Sequence, residues 1–172
     1  AAAADNGIGI AGIAWGAKLL SLKVLSGGVG CTPSGDCGAC NAGADDASVV
    51  AALQYVLGLQ NLPAAGKVVV NISLGAPGTP CLNGDASVSF SATAVRDAMQ
   101  VAVSSQIPVI VSAGNDGGAV NQPANCAGVA PNAFGIIPAG AVDANNNLAS
   151  FSSRGPELAG YGVAAPGVGI ET

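Results

Sequence analysis

Lys67-Val-Val-Val-Asn-Ile-Ser-Leu-Gly75 and Ile107-Pro-Val-Ile-Val-Ser-Ala-Gly-Asn-Asp-Gly117 are two short apolar runs, each ending in small, turn-forming residues. The first is β-branched and follows Gly66, which predicts a buried strand over residues 67–73. The second predicts another strand over residues 107–112. Between them Ala94, Val95, Ala98, Met99, Ala102 and Val103 recur at helical spacing. A strand, a helix and a strand form a βαβ unit, whose crossover makes the two strands parallel.

The same alternation continues outward. Residues 19–25 are a strand candidate, followed by a Gly- and Cys-rich loop over residues 26–44. Asp45 and Asp46 can cap a helix that runs to about Gln60, with Val49, Val50, Leu53, Val56 and Leu57 along one face. Residues 134–142 and 149–153 are later strand candidates. No internal repeat and no long linker interrupts the series, so residues 1–172 are expected to form one α/β domain. In such folds ligands bind beyond the carboxyl ends of the parallel strands. Here those ends are Ser73-Leu74-Gly75 and Ser112-Ala113-Gly114-Asn115-Asp116-Gly117. Glycine there lets a substrate backbone approach closely, although Gly and Asn also serve simply to turn the chain.

Composition narrows the function. The 172 residues are 50% hydrophobic, 9% charged and 3% aromatic, with 26 Gly, 10 Pro and no histidine. That is the balance of a folded chain with tight turns. A net charge of −5, with only five Lys and Arg, argues against nucleic acid and against anionic membranes as partners. The apolar runs are far shorter than the about 20 residues that span a bilayer. Ala1-Ala-Ala-Ala-Asp5 lacks the basic start of an intact signal peptide. Without histidine, this chain supplies no imidazole base and no imidazole metal ligand.

Cys31, Cys37, Cys40, Cys81 and Cys126 lie in loop-like segments. Their setting favours disulfides and an oxidising compartment. Cys37-Gly-Ala-Cys40 keeps a zinc site as the rival, and an odd count leaves one cysteine free or paired outside the chain. Gly7-Ile-Gly-Ile-Ala-Gly12 matches G-x-G-x-x-G, but no β-branched strand precedes it. The acid at the right distance, Asp36, falls in the cysteine loop, so a dinucleotide site is disfavoured. Asn71-Ile-Ser73 matches a glycosylation sequon inside a strand expected to be buried, and reads as chance. No serine sits in a G-x-S-x-G elbow.

Taken together, the blocks resemble subtilisin-like serine proteases. Asp5-Asn-Gly-Ile-Gly-Ile10, Ile13-Ala-Trp-Gly-Ala17 and Leu22-Lys-Val-Leu25 are similar to the stretch after the family's catalytic histidine. Val70-Asn-Ile-Ser-Leu-Gly75 resembles its substrate-binding strand, and Val111-Ser-Ala-Gly-Asn-Asp-Gly117 its oxyanion-asparagine segment. Gln122-Pro-Ala-Asn-Cys126, Gly140-Ala-Val-Asp143, Ser150-Phe-Ser-Ser-Arg-Gly-Pro156 and Ala164-Ala-Pro-Gly167 follow in family order.

The resemblance implies a parallel β-sheet with helices on both faces, a three-layer fold that is incomplete in this chain. It implies a central fragment of a secreted serine endopeptidase, with the Asp and His motifs before Ala1 and the Ser motif after Thr172. Asn115 takes the role of oxyanion-hole donor. Ser73-Leu74-Gly75 and Ser112-Ala113-Gly114 become the two walls of the S1 pocket, with Asp116 at the rim, where its carboxylate weakly favours basic substrate side chains. Gly28-Val-Gly30 becomes the segment that pairs with extended substrate. Asn6 and the carbonyls of Ile8 and Ile10 become part of a calcium loop whose carboxylate lies outside the chain. A second cation site near Glu157 is weakened by Ala159, where an aspartate is wanted. Cys81 and Cys126 become a disulfide pair. The partners implied are peptide or protein substrate, and either the missing flanking segments or an oligomer that covers exposed core. The alternative is a non-catalytic peptide-binding α/β module.

Overall fold

Val109 and Val111 are fully buried while Ile110 and Ser112 are half-buried, so strand β4 (Val109–Ser112) turns one face to the core. The computed structural model describes residues 7, 12–26, 43–44, 46–60, 66–77, 81, 90–129 and 134–170. Within them β4 lies between β3 (Val70–Ile72) and β5 (Ile136–Val142), and β5 pairs on with β6 (Val163–Pro166). All these pairings are parallel, giving the sheet order β3-β4-β5-β6. The register sets Ile72 beside Val111, and Val109 beside Ile136. Ile72, Val109, Val111 and Ile136 therefore share one face, and all four are buried.

Two helices supply the apolar counterpart. Helix α1 (Asp46–Leu59) buries Val49, Leu53 and Val56, and helix α2 (Phe90–Ser104) buries Val95, Met99 and Ala102. These positions recur every three or four residues, so each helix lays one stripe on the sheet. Asp46 in the first turn of α1 complements the helix dipole. The Gln60 side-chain amide donates to the Ser105 carbonyl, tying the carboxyl ends of the two helices together. Burying a side chain the size of Met99 or Ile107 stabilises by about 1.5–3 kcal/mol. A short helix α3 (Pro156–Tyr161) adds Leu158 and Tyr161 to the same cluster.

Pro138 sits inside β5, where a proline normally breaks a ladder. The Ala139 carbonyl accepts from Ala113 on the β4 side, so the Pro138 nitrogen faces the β6 side. Pairing with β6 begins only at Ala139 and Val163, so the missing N–H falls just before that ladder starts.

Helix α2 ends in a Schellman motif: Ile107 N–H donates to the Ala102 carbonyl at 3.0 Å and Gln106 N–H to the Val103 carbonyl at 2.9 Å. Gln106 occupies the left-handed position of that motif, with φ of 63°. A side chain there costs about 1–2 kcal/mol that glycine does not. Gln106→Gly is expected to raise stability by about 0.5–1 kcal/mol, after the extra chain entropy of glycine is counted. An unchanged or lowered urea midpoint contradicts this.

Several strand expectations need correction. Residues 19–25 form no continuous strand; only β1 (Leu25–Ser26) does, antiparallel to β2 (Gly43–Ala44). Leu19 and Leu20 are exposed, 76% and 55%, so no neighbour fixes them as a ladder. The strand expected over residues 67–73 shrinks to Val70–Ile72, with Val69 exposed. Asn71 is also exposed, and its side-chain amide donates to Ser73 Oγ at 3.0 Å, which removes burial as the ground for dismissing the sequon. The cause is shared: β3 is an edge strand of this sheet, and the described helices cover only its Ile72 face. Residues 149–153 form a turn held by hydrogen bonds from Ala149 N–H to the Ala141 carbonyl and from Ser152 N–H to the Ala149 carbonyl. Helix α3 and strand β6 have no counterpart in the periodicity, because α3 is short and β6 is exposed along its length.

Candidate functional site

The chain leaves β4 through Ala113 and Gly114. Ala113 N–H donates to the Ala139 carbonyl at 2.9 Å, and the Ala113 carbonyl accepts from Asn121 N–H at 2.8 Å. Gly114 has φ of 112°, and a Cβ there would stand 2.5 Å from Asn121 Nδ2 and 2.8 Å from Ser153 Oγ. Only glycine fits both the dihedral and the space. Asn115 follows at the apex, exposed, with Asp116 exposed beside it. Asn121 is buried and donates from Nδ2 to Asp116 Oδ2 at 2.7 Å. Gly117 N–H then donates to the Phe151 carbonyl at 2.7 Å, so the turn is fastened on both sides of Asn115.

The end of β3 lies next to the same support. Ala76 N–H donates to the Gln122 carbonyl at 2.9 Å, and Gln122 N–H returns a bond to the Ala76 carbonyl at 3.1 Å. A Cβ on Gly75 would lie 2.6 Å from the Gln122 carbonyl oxygen, so the close approach requires glycine. Asn121 and Gln122 thus join Ser73-Leu74-Gly75 to Ser112-Ala113-Gly114. A cavity of about 220 Å³ opens beside Asn115, bounded by residues 112–115, the ends of β5 and β6, and Ser152. Ser73, Leu74 and Gly75 do not line it. Ser73 and Leu74 instead border an apolar groove of about 640 Å³ between residues 18–25, α1 and β3.

Cys81 and Cys126 are joined, with Cα atoms 5.0 Å apart. Cys126 closes a 3-10 turn (Ala124–Cys126) directly after the Asn121 and Gln122 segment, so the bond anchors the base of the site. Asn6, Ile8, Ile10, Gly28, Gly30, Cys31, Cys37 and Cys40 lie outside the described residues. Among the described residues no group of three or more His, Cys, Asp or Glu is placed to hold a metal ion, and no helix is long and apolar enough to cross a membrane.

In the loop after β5, the Asp143 carboxylate is surrounded by hydrogen-bond donors. Asp143 accepts from the backbone N–H groups of Asn147 and Asn145, at 2.9 and 2.8 Å, and from Asn147 Nδ2 at 3.3 Å. The Asn147 backbone bond leads in holding its carboxyl below the usual range, against a smaller opposing effect of desolvation. A depressed carboxylate contributes stability above its unfolded pKa and loses it as the pH falls through the folded one. The Asp143 contribution is therefore present at neutral pH and is lost in acid.

The residues around Asn115 supply a neutral amide donor, a slot of small side chains and fastened backbone, but no imidazole, since the chain has no histidine. Sequence reasoning missed Asn121, Ser152 and Ser153. Ser152 Oγ accepts from Ala141 N–H at 3.1 Å, and Ser153 Oγ from Asp116 N–H at 3.4 Å. Their partners are distant in sequence or set by the turn, so no local spacing marks them.

The family model of subtilases matches residues 1–171. The chain belongs to the subtilase family. Subtilisin DY from Bacillus licheniformis is 35% identical over 169 residues, covering 98% of this subtilase chain and 48% of the relative. Subtilisin Savinase from Lederbergia lenta is 36% identical over 172 residues, covering 99% and 49%. The subtilase chain thus spans about half the length of the curated relatives it matches. Among solved structures, proteases from Pseudoalteromonas arctica superpose with a TM-score of 0.65 at 26% identity, over 97% of this chain and 41% of that one. A cold-adapted subtilisin-like serine proteinase superposes with a TM-score of 0.54 at 22% identity, over 76% and 39%, and supports the fold alone. The expected α/β class with a parallel sheet agrees with these neighbours.

Proposed function

We propose that these residues form the oxyanion-binding part of a secreted subtilisin-like serine endopeptidase, in a single domain completed by polypeptide outside the 172 residues. The observation that carries this reading is the exposed Asn115 amide at the apex of a fastened turn, at the carboxyl end of a central parallel strand of a subtilase chain. An attacking serine converts a peptide carbonyl into a tetrahedral oxyanion. A fixed neutral donor aimed at that oxygen stabilises the charge as it forms and never competes as a base. Ser112-Ala113-Gly114, beside the Asn115 cavity, is assigned to one wall of the S1 pocket. Ser73-Leu74-Gly75, which lies outside that cavity, is assigned to the other wall through the Asn121 and Gln122 segment that supports both strand ends. Gly28 and Gly30 are assigned to pairing with extended substrate. Asp, His and Ser of the triad come from the flanking polypeptide, which also covers the apolar groove beside β3.

Calcium is assigned to Asn6 and the carbonyls of Ile8 and Ile10, with a carboxylate from outside the chain. Its role would be to brace that loop, and no step of catalysis passes through it.

The test is to extend the reading frame on both sides and assay peptide hydrolysis. Turnover blocked by a serine-directed phosphonate supports the endopeptidase. A frame lacking His and Ser motifs, together with retention of peptide without cleavage, supports the peptide-binding module instead. The 172-residue chain alone is expected to leave casein intact, because it has no histidine to activate a serine. Phosphonate-sensitive cleavage by the purified chain contradicts this.

A further inference from the structure

We propose that Asn121 and Ser153 are positioning residues for Asn115, holding its turn through the Asp116 carboxylate and the backbone of residues 113–116. The assignment rests on the reading of Asn115 as the oxyanion donor. The Asn115 side chain is exposed, so its direction is set by the backbone that carries it. Asn121 grips the turn on both sides of Asn115: its backbone N–H reaches the Ala113 carbonyl at 2.8 Å, and its side-chain amide reaches the Asp116 carboxylate Oδ2 at 2.7 Å. Ser153 grips it between them. Ser153 N–H donates to the Gly114 carbonyl at 3.0 Å, and Ser153 Oγ accepts from Asp116 N–H at 3.4 Å.

Asn121 is 7% exposed and Ser153 is 0% exposed. A buried polar side chain is costly unless its hydrogen bonds are made, and here they converge on one turn. Gly114 leaves the space that both side chains fill. The same geometry engages one oxygen of the exposed Asp116 carboxylate with Asn121. The buried amide and hydroxyl therefore serve the direction of a neighbouring amide.

Amide hydrogen exchange in the extended protease tests the clamp. Asn121→Asp sets two carboxylates against each other, and exchange at Asp116 and Gly117 is expected to accelerate about tenfold, with Val111 and Ile137 unchanged. The exchanged pair Asn121→Asp with Asp116→Asn restores donor and acceptor, and should return the rates to within about threefold of the parent. Asp116→Ala, at an exposed position, carries the same acceleration should Asn121→Asp fail to fold.

In the extended protease, Asn121→Asp should lower kcat about tenfold with KM within about twofold, and the exchanged pair should recover kcat. Unchanged exchange in both single variants, no rescue by the exchanged pair, or a change in KM alone overturns the proposal. Full kcat in Asn115→Ala overturns the oxyanion reading and the kinetic half of the proposal, while the exchange measurement still decides the clamp.

Discussion

Asn115→Ala in the extended protease is expected to lower kcat about 10²–10³-fold with KM little changed, a magnitude that comes from a subtilisin oxyanion-hole asparagine itself. The split between kcat and KM follows from when the bond forms. The amide is aimed at an oxygen that becomes negative only on attack, so its loss raises the transition state and leaves ground-state binding nearly untouched. Asn115→Asp should be worse than alanine, since it replaces the donor by a negative acceptor facing the developing charge. A variant in which KM rises and kcat holds would place Asn115 in substrate binding. Parent kinetics in both variants would remove it from the site.

The second large effect is structural. Replacing both Cys81 and Cys126 by serine frees a loop whose ends are 45 residues apart. Chain-entropy reasoning puts the lost stability at about 4 kcal/mol. That loop contains α2, β4 and the Asn115 turn, so the bond restrains the segment that both positions the donor and carries much of the core. Cys126 is also fully buried, so serine there adds the cost of a hydroxyl in an apolar setting. Urea unfolding of the parent and the double-serine chain measures the difference. A loss below about 1 kcal/mol would show that the paired Ala76 and Gln122 backbones hold the site's base unaided.

Much of the sheet was legible because its strands and helices obey simple periods. Val109 and Val111 alternate with Ile110 and Ser112, and Val95, Met99 and Ala102 follow a helical stripe, so β4 and α2 fall close to where the pattern puts them. Helix α1 likewise begins at Asp46, within the expected helix start. Residues 19–25 have the same apolar character, and Leu22 and Val24 pack against the core, but Leu19, Leu20 and Leu25 are exposed and hydrophobicity alone does not create a ladder. The position of Asn115 was legible from the small residues ending a β-branched run. The parts that fasten it were not. Asn121 meets Asp116 across a turn, and Ser153 meets Gly114 across the fold, and neither relation leaves a period in the sequence.

Strands β3, β4, β5 and β6 stand in the sheet in the order in which the chain supplies them. Among the described strands of this sheet, none has to be inserted between two that are already paired. Each can dock on the free edge left by its predecessor as soon as its own crossover is complete, so assembly can keep pace with a chain emerging from the ribosome. Loop closure is then met in successive local steps rather than one long search. The stretch of sheet that presents Asn115 is in this sense a vectorial structure: from β3 toward β6, each strand extends the edge left by the strand before it in the chain.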